Sequence, residues 1–325
     1  MAAFHTADIS GRRFLVTGGA GFIGSHIVEY LLAHGAGKVR VLDNLMTGSR
    51  NNVNLFAGNS RYEFMEGDIR DAATCVKACK DIDHVTHQAA LGSVPRSVKD
   101  PVTSNEVNVS GFVNMITAAK DAQVKTFVYA SSSSVYGDEP NLPKKEDRTG
   151  NLLSPYAVTK MTNELYAAVF GRLYGMKVAG LRYFNVFGPR QDPEGPYAAV
   201  IPLFVSGVLN RTPVYINGDG AQTRDFTFVE NAVQANIKGM LTDNDAAYGH
   251  VYNVAVGENF TVNFLFEAIG KLLSSDHKPT YREARAGDIR DSLADITRAR
   301  QLLGYEPTRQ FLDGLKLTMD YFTGK

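Results

Sequence analysis

Arg12-Arg13-Phe14-Leu15-Val16-Thr17-Gly18-Gly19-Ala20-Gly21-Phe22-Ile23-Gly24 is the stretch on which the fold turns. Its first half is a short apolar run ending in glycines, which reads as a buried strand. Residues 23–34 follow with Ile23, Ile27, Leu31 and Leu32 on one helical stripe. Gly18, Gly21 and Gly24 stand three apart at the junction, the only such triple among the 30 glycines. A turn this tight brings backbone N–H groups up to a pyrophosphate, and the helix N-terminus adds positive potential there. A bare glycine pattern is weak evidence; a strand before it and a helix after it supply the context that a dinucleotide site requires.

The rhythm continues outward. Strands are expected at residues 39–42, 62–65, 85–87, 126–130 and 178–182, and helices at 71–80, 105–122 and 155–174. Asp71 can cap the first of these helices, and Pro155 suits the first turn of the last. Strands separated by helices of this length call for right-handed crossovers and a doubly wound parallel sheet, an α/β fold of Rossmann type. After Arg182 the punctuation changes, with Pro189, Pro193, Pro196, Pro202 and Pro213 breaking the chain into short elements. The expected organisation is therefore a nucleotide-binding domain over residues 1–181 and a smaller α/β substrate lobe over 182–325. The segment near 225–250 is expected to pack back on the first domain.

Composition narrows the function. Across 325 residues, Lys+Arg 34 balance Asp+Glu 34, so no bulk electrostatic attraction to nucleic acid or to a membrane surface is expected. The N-terminus lacks the basic-then-apolar layout of a signal peptide, and the most apolar long stretch, 197–209, contains Pro202 and is too short to span a bilayer. Cys75 and Cys79 are the only cysteines, which excludes a disulfide framework and points to a reducing cytoplasm with both thiols as packing residues. His84 and His87 have no third ligand nearby, so no metal is expected.

Asp43 closes the second strand, where a carboxylate accepts hydrogen bonds from both adenosine ribose hydroxyls and repels a 2′-phosphate. Asn44 and Leu45 follow it rather than an arginine, which favours NAD over NADP. Asp68 and Ile69 past the third strand are placed to reach the adenine, and Gln88, Ala89 and Ala90 offer small and polar groups beside the cofactor. Tyr156 and Lys160 lie four apart on one helix face. A phenol acting as a base near neutrality needs its pKa lowered by roughly three units, about 4 kcal/mol. An ammonium one turn away together with a cationic nicotinamide supplies that. Among 15 tyrosines only Tyr156 and Tyr321 have lysine at that spacing, and the second pair ends the chain. Ser131 to Ser134 leave the fifth strand at the crevice where substrate must lie.

Thr17 to Gly24, the serine run ending Val135-Tyr136-Gly137, and Ser154-Pro155-Tyr156 to Lys160 resemble the extended short-chain dehydrogenase/reductases. Arg182-Tyr183-Phe184-Asn185-Val186-Phe187-Gly188-Pro189-Arg190 and Gly218-Asp219-Gly220 through Arg224-Asp225-Phe226 carry the likeness into the second half. Within that family the chain is similar to UDP-hexose 4-epimerases. Leu91-Gly92-Ser93-Val94-Pro95-Arg96-Ser97 and the stretch from Gln191-Asp192-Pro193 to Ile201-Pro202 resemble the branch that handles N-acetylated UDP-hexosamines such as UDP-GlcNAc. The resemblance implies Ser132 as catalytic hydroxyl, Tyr156 as base and Lys160 as its partner. It adds Phe22, Ile23, Tyr183 and Val186 to the NAD site. For the UDP-sugar it implies Asn185, Arg224, Arg285 and Asp288 at the UDP moiety. Gly92, Ser93, Gln191, Ala199, Val200 and Ser292 are implied around the sugar, with Ser133 and Ser134 beside Ser132. Ser292 matches a position that faces the ring, where epimerases restricted to non-acetylated sugars carry a tyrosine. Related dehydratases place an acid pair directly after the catalytic hydroxyl; Ser133 and Ser134 stand there, which disfavours dehydration. A homodimer through helices 105–122 and 155–174 is the family expectation. The 6-carboxylated sugar, plain UDP-glucose, or a catalytically silent NAD-binding protein remain as alternatives.

Overall fold

The computed structural model describes residues 1–193, 198–283 and 290–324. Seven parallel strands form the central sheet among these residues. They are β1 (Arg13–Thr17), β2 (Lys38–Asp43), β3 (Tyr62–Glu66), β4 (His84–His87), β5 (Thr126–Ser132), β6 (Val178–Tyr183) and an edge strand, His250–Val254. The spatial order runs edge strand, β6, β5, β4, β1, β2, β3. Beyond β3 the chain crosses to the far side of β1, so β1 and β4 are neighbours whose connections leave in opposite directions. A crevice opens at that switch point, above the C-terminal strand ends.

Both faces of the sheet are covered, and the strands are apolar on both faces accordingly. Phe14, Val16 and Val41 pack with Ile27, Val28 and Leu31 of α1 (Phe22–Ala33) and with Ile237 of the helix Val229–Leu241. Leu15, Leu42 and Val85 face the other way, onto Met115 and Ile116 of the helix Gly111–Asp121 and onto Cys75 and Cys79. Fully burying side chains of this size stabilises by about 1.5–3 kcal/mol each. Burial pushes both thiols up to about 12, so they pack and do not react. Among the described residues no helix is long and apolar enough to cross a membrane.

Two expectations need adjusting. The helical stretch expected at 105–122 begins a turn earlier, at Pro101–Asn105, and continues through a π-helical turn, Glu106–Ser110, into Gly111–Asp121. Asp100 starts it, accepting a 3.0 Å hydrogen bond from Thr103 N ahead of Pro101. The boundary at 181/182 does not divide the sheet from the lobe either. β6 runs across it, and His250–Val254 pairs with β6 to complete the sheet; the helix Val229–Leu241, within the segment expected to pack back, lies on β4, β5 and β6.

The smaller lobe has its own core, built from Phe187, Phe204, Phe226, Phe228, Phe266 and Phe311. Asp225 ties this lobe to the sheet. Its carboxylate accepts from Val256 N and Gly257 N just past the edge strand, both at 3.1 Å, and from Ala294 N at 3.2 Å. Burial nevertheless dominates those bonds and raises its pKa from 3.8 to about 7. The folded chain therefore holds a proton that the unfolded chain has released between those values, and stability declines as pH rises through that window. Urea unfolding across pH 4 to 8 should show this decline in the wild type and a flatter profile in Asp225→Asn. Parallel profiles would remove Asp225 as its source.

Candidate active site

The crevice holds a cavity of about 670 Å³ that runs from the β1–α1 turn to the ends of β5 and β6. At one end the chain turns through Gly18 with φ +68°, and a Cβ there would stand 2.7 Å from the Ala89 backbone nitrogen. A Cβ on Gly24 would fall on the Gly18 carbonyl oxygen. The spacing of these glycines thus reflects backbone packed against backbone. No side chain caps α1 at Gly21. Gly21, Phe22, Ile23 and Gly24 line the cavity where the unsatisfied N–H groups of a helix start accommodate phosphate.

Asp43 lies beside them, 8 % exposed, with one oxygen accepting from Ala20 N at 3.0 Å and the other from Leu45 N at 2.8 Å. Burial raises its pKa, and those two bonds work against that rise. Asn44, Asp68 and Ile69 share this wall. Both Asp68 oxygens are engaged by Arg70, one also by Asn44, and the guanidinium holds the carboxyl down at about 2. Gln88, Ala89 and Ala90 form the cavity edge above β4, with Tyr183 and Val186 opposite. Tyr183 donates to Gln88 Oε1 at 3.0 Å and accepts from Asn236 Nδ2 at 2.7 Å. Asn236 comes from the helix Val229–Leu241; its nearness to Gln88 carries no signal in sequence, because the two are brought together only by the sheet.

At the middle of the cavity the strand β5 delivers Ser132, and the helix Pro155–Tyr174 delivers Tyr156 and Lys160. Ser154 caps that helix by accepting from Ala157 N, and Tyr156 N donates to Ser97 Oγ at 3.0 Å, which fixes the helix start against the short helix Val94–Lys99. Lys160 Nζ donates to Ala130 O at 2.8 Å and lies 5.9 Å from the centre of the Tyr156 ring. Burial lowers the lysine to about 8. Burial raises the Tyr156 phenol, while its hydrogen bond with Ser132 pulls the other way. The drop that a phenolate base needs must therefore come from positive charge: Lys160 and whatever cation enters the cavity. His87 beneath them is held near 3 by burial and pairs with Thr17 Oγ1 at 2.9 Å; His84 pairs with Thr126 Oγ1. Both are neutral packing residues.

Gly92, Ser133, Asn185, Gln191 and Ala199 line the far end, together with Arg96, which the motif reading quoted but assigned no role. Asn185 sits at φ +36° with its Nδ2 donating to Asp225 O. Gln191 Oε1 is buried without a hydrogen-bond partner. Other expected residues are not on this wall. Ser93 instead caps the helix Val94–Lys99, Ser134 sits half-buried in the turn after β5 with its Oγ lacking a hydrogen-bond partner, and Val200 opens the helix Val200–Asn210. Arg224 and Ser292 lie together in the lobe, Arg224 donating to Arg290 O and Ser292 N to Thr223 O. Arg285 and Asp288 lie outside the described residues.

The sequence matches the NAD dependent epimerase/dehydratase family over residues 14–255. It is 38% identical over 315 residues to UDP-glucose 4-epimerase of Mycolicibacterium smegmatis, covering 96% of this chain and 99% of that protein. The fold is similar to that of UDP-N-acetylglucosamine 4-epimerase from Methanobrevibacter ruminantium M1 in complex with UDP-N-acetylmuramic acid. That likeness has a TM-score of 0.91 at 42% identity over 96% of this chain and 98% of the other. UDP-glucuronic acid 4-epimerase from Bacillus cereus, solved with UDP-glucuronic acid and NAD, gives a TM-score of 0.89 at 31% identity over 96% and 99%. A glycine turn too tight for any Cβ, a buried Asp43 at the end of β2 and a Tyr156–Lys160 pair facing Ser132 are thus found in a chain that belongs to the NAD dependent epimerase/dehydratase family.

Proposed function

We propose that this protein is a UDP-N-acetylhexosamine 4-epimerase that interconverts UDP-GlcNAc and UDP-GalNAc through a transient 4-keto sugar. The observation that carries the reading is the meeting of Ser132, Tyr156 and Lys160 on one wall of the cavity that also holds Gly18 and Asp43. NAD, when bound, accepts and returns the hydride at C4 and adds positive charge near Tyr156. Gly18 to Gly24 and Asp43 would hold its adenosine half, and Tyr183, Val186 and Lys160 its nicotinamide half.

Tyr156 takes the proton of the sugar 4-hydroxyl and later returns it. Ser132, hydrogen-bonded to the phenol, contacts the same sugar oxygen and passes the proton along. Lys160, tethered by Ala130 O, stabilises the phenolate. Ser133 stands where a dehydratase needs a carboxylic acid, so the 6-hydroxyl has no proton donor for its departure. Arg224, with Arg285, suits the diphosphate because guanidinium pairs with phosphate oxygens bidentately. A homodimer is part of this proposal: Val158, Leu165, Tyr166, Val169 and Leu173 leave an exposed apolar stripe along the catalytic helix. Sedimentation should give a mass of two chains; a single-chain mass at micromolar concentration would rule the dimer out.

The acetamido reading rests on the open end of the cavity. Gly92 has nothing within 4 Å of where a Cβ would stand, and the small Ala199 lies on the same wall. One observation favours a second reading. Arg96 on that wall offers a cation to a sugar carboxylate, which fits the 6-carboxylated counterpart.

Proton NMR of UDP-GlcNAc, its uronate and UDP-glucose, each incubated with the protein, should show C4 inversion without added cofactor, fastest for UDP-GlcNAc. Preference for the uronate would favour the Arg96 reading, and preference for UDP-glucose would remove the acetamido assignment. Tyr156→Phe should lower kcat by about a thousandfold with UDP binding retained; a loss within tenfold would displace Tyr156 as the base. Ser292→Tyr should depress kcat/KM for UDP-GlcNAc at least tenfold more than for UDP-glucose, a sterically asymmetric loss. Equal losses would place the gate elsewhere.

A further inference from the structure

Tyr156 and Lys160 are continued on the same helix face, one further turn along, by Glu164. Its side chain is 7 % exposed, yet it carries a full set of charged and hydroxyl partners. One oxygen accepts from Ser131 Oγ at 2.5 Å and from Arg182 Nε at 2.9 Å; the other accepts from Arg182 Nη2 at 2.7 Å. Arg182, on β6, is itself buried, donates to Glu146 O at 3.1 Å and lies 4.8 Å over the Tyr136 ring. A buried pair of this kind adds little net stability beyond what apolar residues of the same shape provide. It does something they could not. It fastens the strand residue between Ala130, whose carbonyl holds Lys160, and Ser132, and it places a negative charge one turn from an ammonium that burial disfavours.

The surroundings of Lys160 leave this charge without competition. Tyr156 faces it from its own helix and His87 from β4, and both are neutral in the resting protein. Tyr129 on β5 is fully buried, and its phenol is pushed far up. Arg182 from β6 is spent on Glu164. The carboxylate of Glu164 opposes the desolvation of Lys160.

We infer that Glu164 is the positioning residue of the catalytic set. Its bond to Ser131 fixes the end of β5 that carries Ser132 and the Ala130 carbonyl, and its charge keeps Lys160 an ammonium beside Tyr156. The kinetic part of the test rests on the epimerase reading; the titration part does not.

The full chain, labelled with 13C at lysine Cε and assigned through Lys160→Met, reports the Lys160 titration directly by NMR. The wild-type midpoint is expected near 8. Glu164→Gln keeps the shape and loses the charge, and should lower that midpoint by about one unit. The alkaline limb of kcat should move down with it, because activity falls as pH rises through the loss of the ammonium. Glu164→Asp, whose carboxylate stands one methylene further back, should fall between the two. An unmoved midpoint in Glu164→Gln overturns the inference, whatever happens to thermal stability. If Glu164→Gln does not fold, Glu164→Asp decides alone: a midpoint below wild type supports the inference and an unchanged one overturns it. A wild type that epimerises no UDP-sugar sinks the functional reading and leaves the titration to judge Glu164.

Discussion

Backbone meets backbone at the exit of β1, and the rest of the molecule is arranged around that approach. With Gly18 against Ala89 and Gly24 against Gly18, three elements converge: the end of β1, the start of α1 and the end of β4. A Cβ at either position would push α1 off the sheet, and α1 buries Ile27, Val28 and Leu31 on the face that also receives the helix Val229–Leu241. The same close packing leaves the first-turn N–H groups of α1 facing a cavity instead of a neighbouring side chain. Asp43 is drawn in by two of the nearby amides. The proposed nucleotide site and the core packing therefore rest on the same few backbone atoms.

Catalytic polarity is built on the opposite principle, burial of groups that would ordinarily be solvated. Tyr156, Lys160, Glu164 and Arg182 descend from the cavity wall into the sheet, each largely removed from water. Low dielectric strengthens every interaction among them and penalises every charge left unpaired. The lysine is brought down into a range where its charge depends on its neighbours, and the tyrosine is pushed away from the range where it could act alone. On the proposed reading, the phenol serves as a base only when positive charge is gathered beside it.

The lobe that closes the cavity is joined to the sheet by polar clamps as well as apolar contact. Asp225 links the Thr223–Arg224 strand, the residues after His250–Val254 and Ala294, while Asn185 adopts a strained backbone and donates to the same segment. Through these bonds the groups assigned to substrate, Arg224 and Ser292, share a framework with β6 and so with the catalytic strand beside it.

Alternation of apolar runs with helical stripes was enough to read six of the sheet strands and a parallel doubly wound order. The glycine triple, Asp43 and the Tyr156–Lys160 spacing could be read because each expresses a local rule: a turn, a strand end, one face of one helix. Glu164 obeys the same local spacing but carries no signal in sequence, since its partners Ser131 and Arg182 come from two other elements. The edge strand His250–Val254 could not be read, as short apolar runs gain strand identity only from a partner, here β6. Asn236 beneath Gln88, and the displacement of Ser93, Ser134 and Val200 from the cavity wall, were likewise decided by contacts between residues distant in the chain. The sequence alone determined which chemistry is present and in what order along the chain. Tertiary packing decided what each group is next to and how much water it keeps, and those two quantities govern its charge and hence its use.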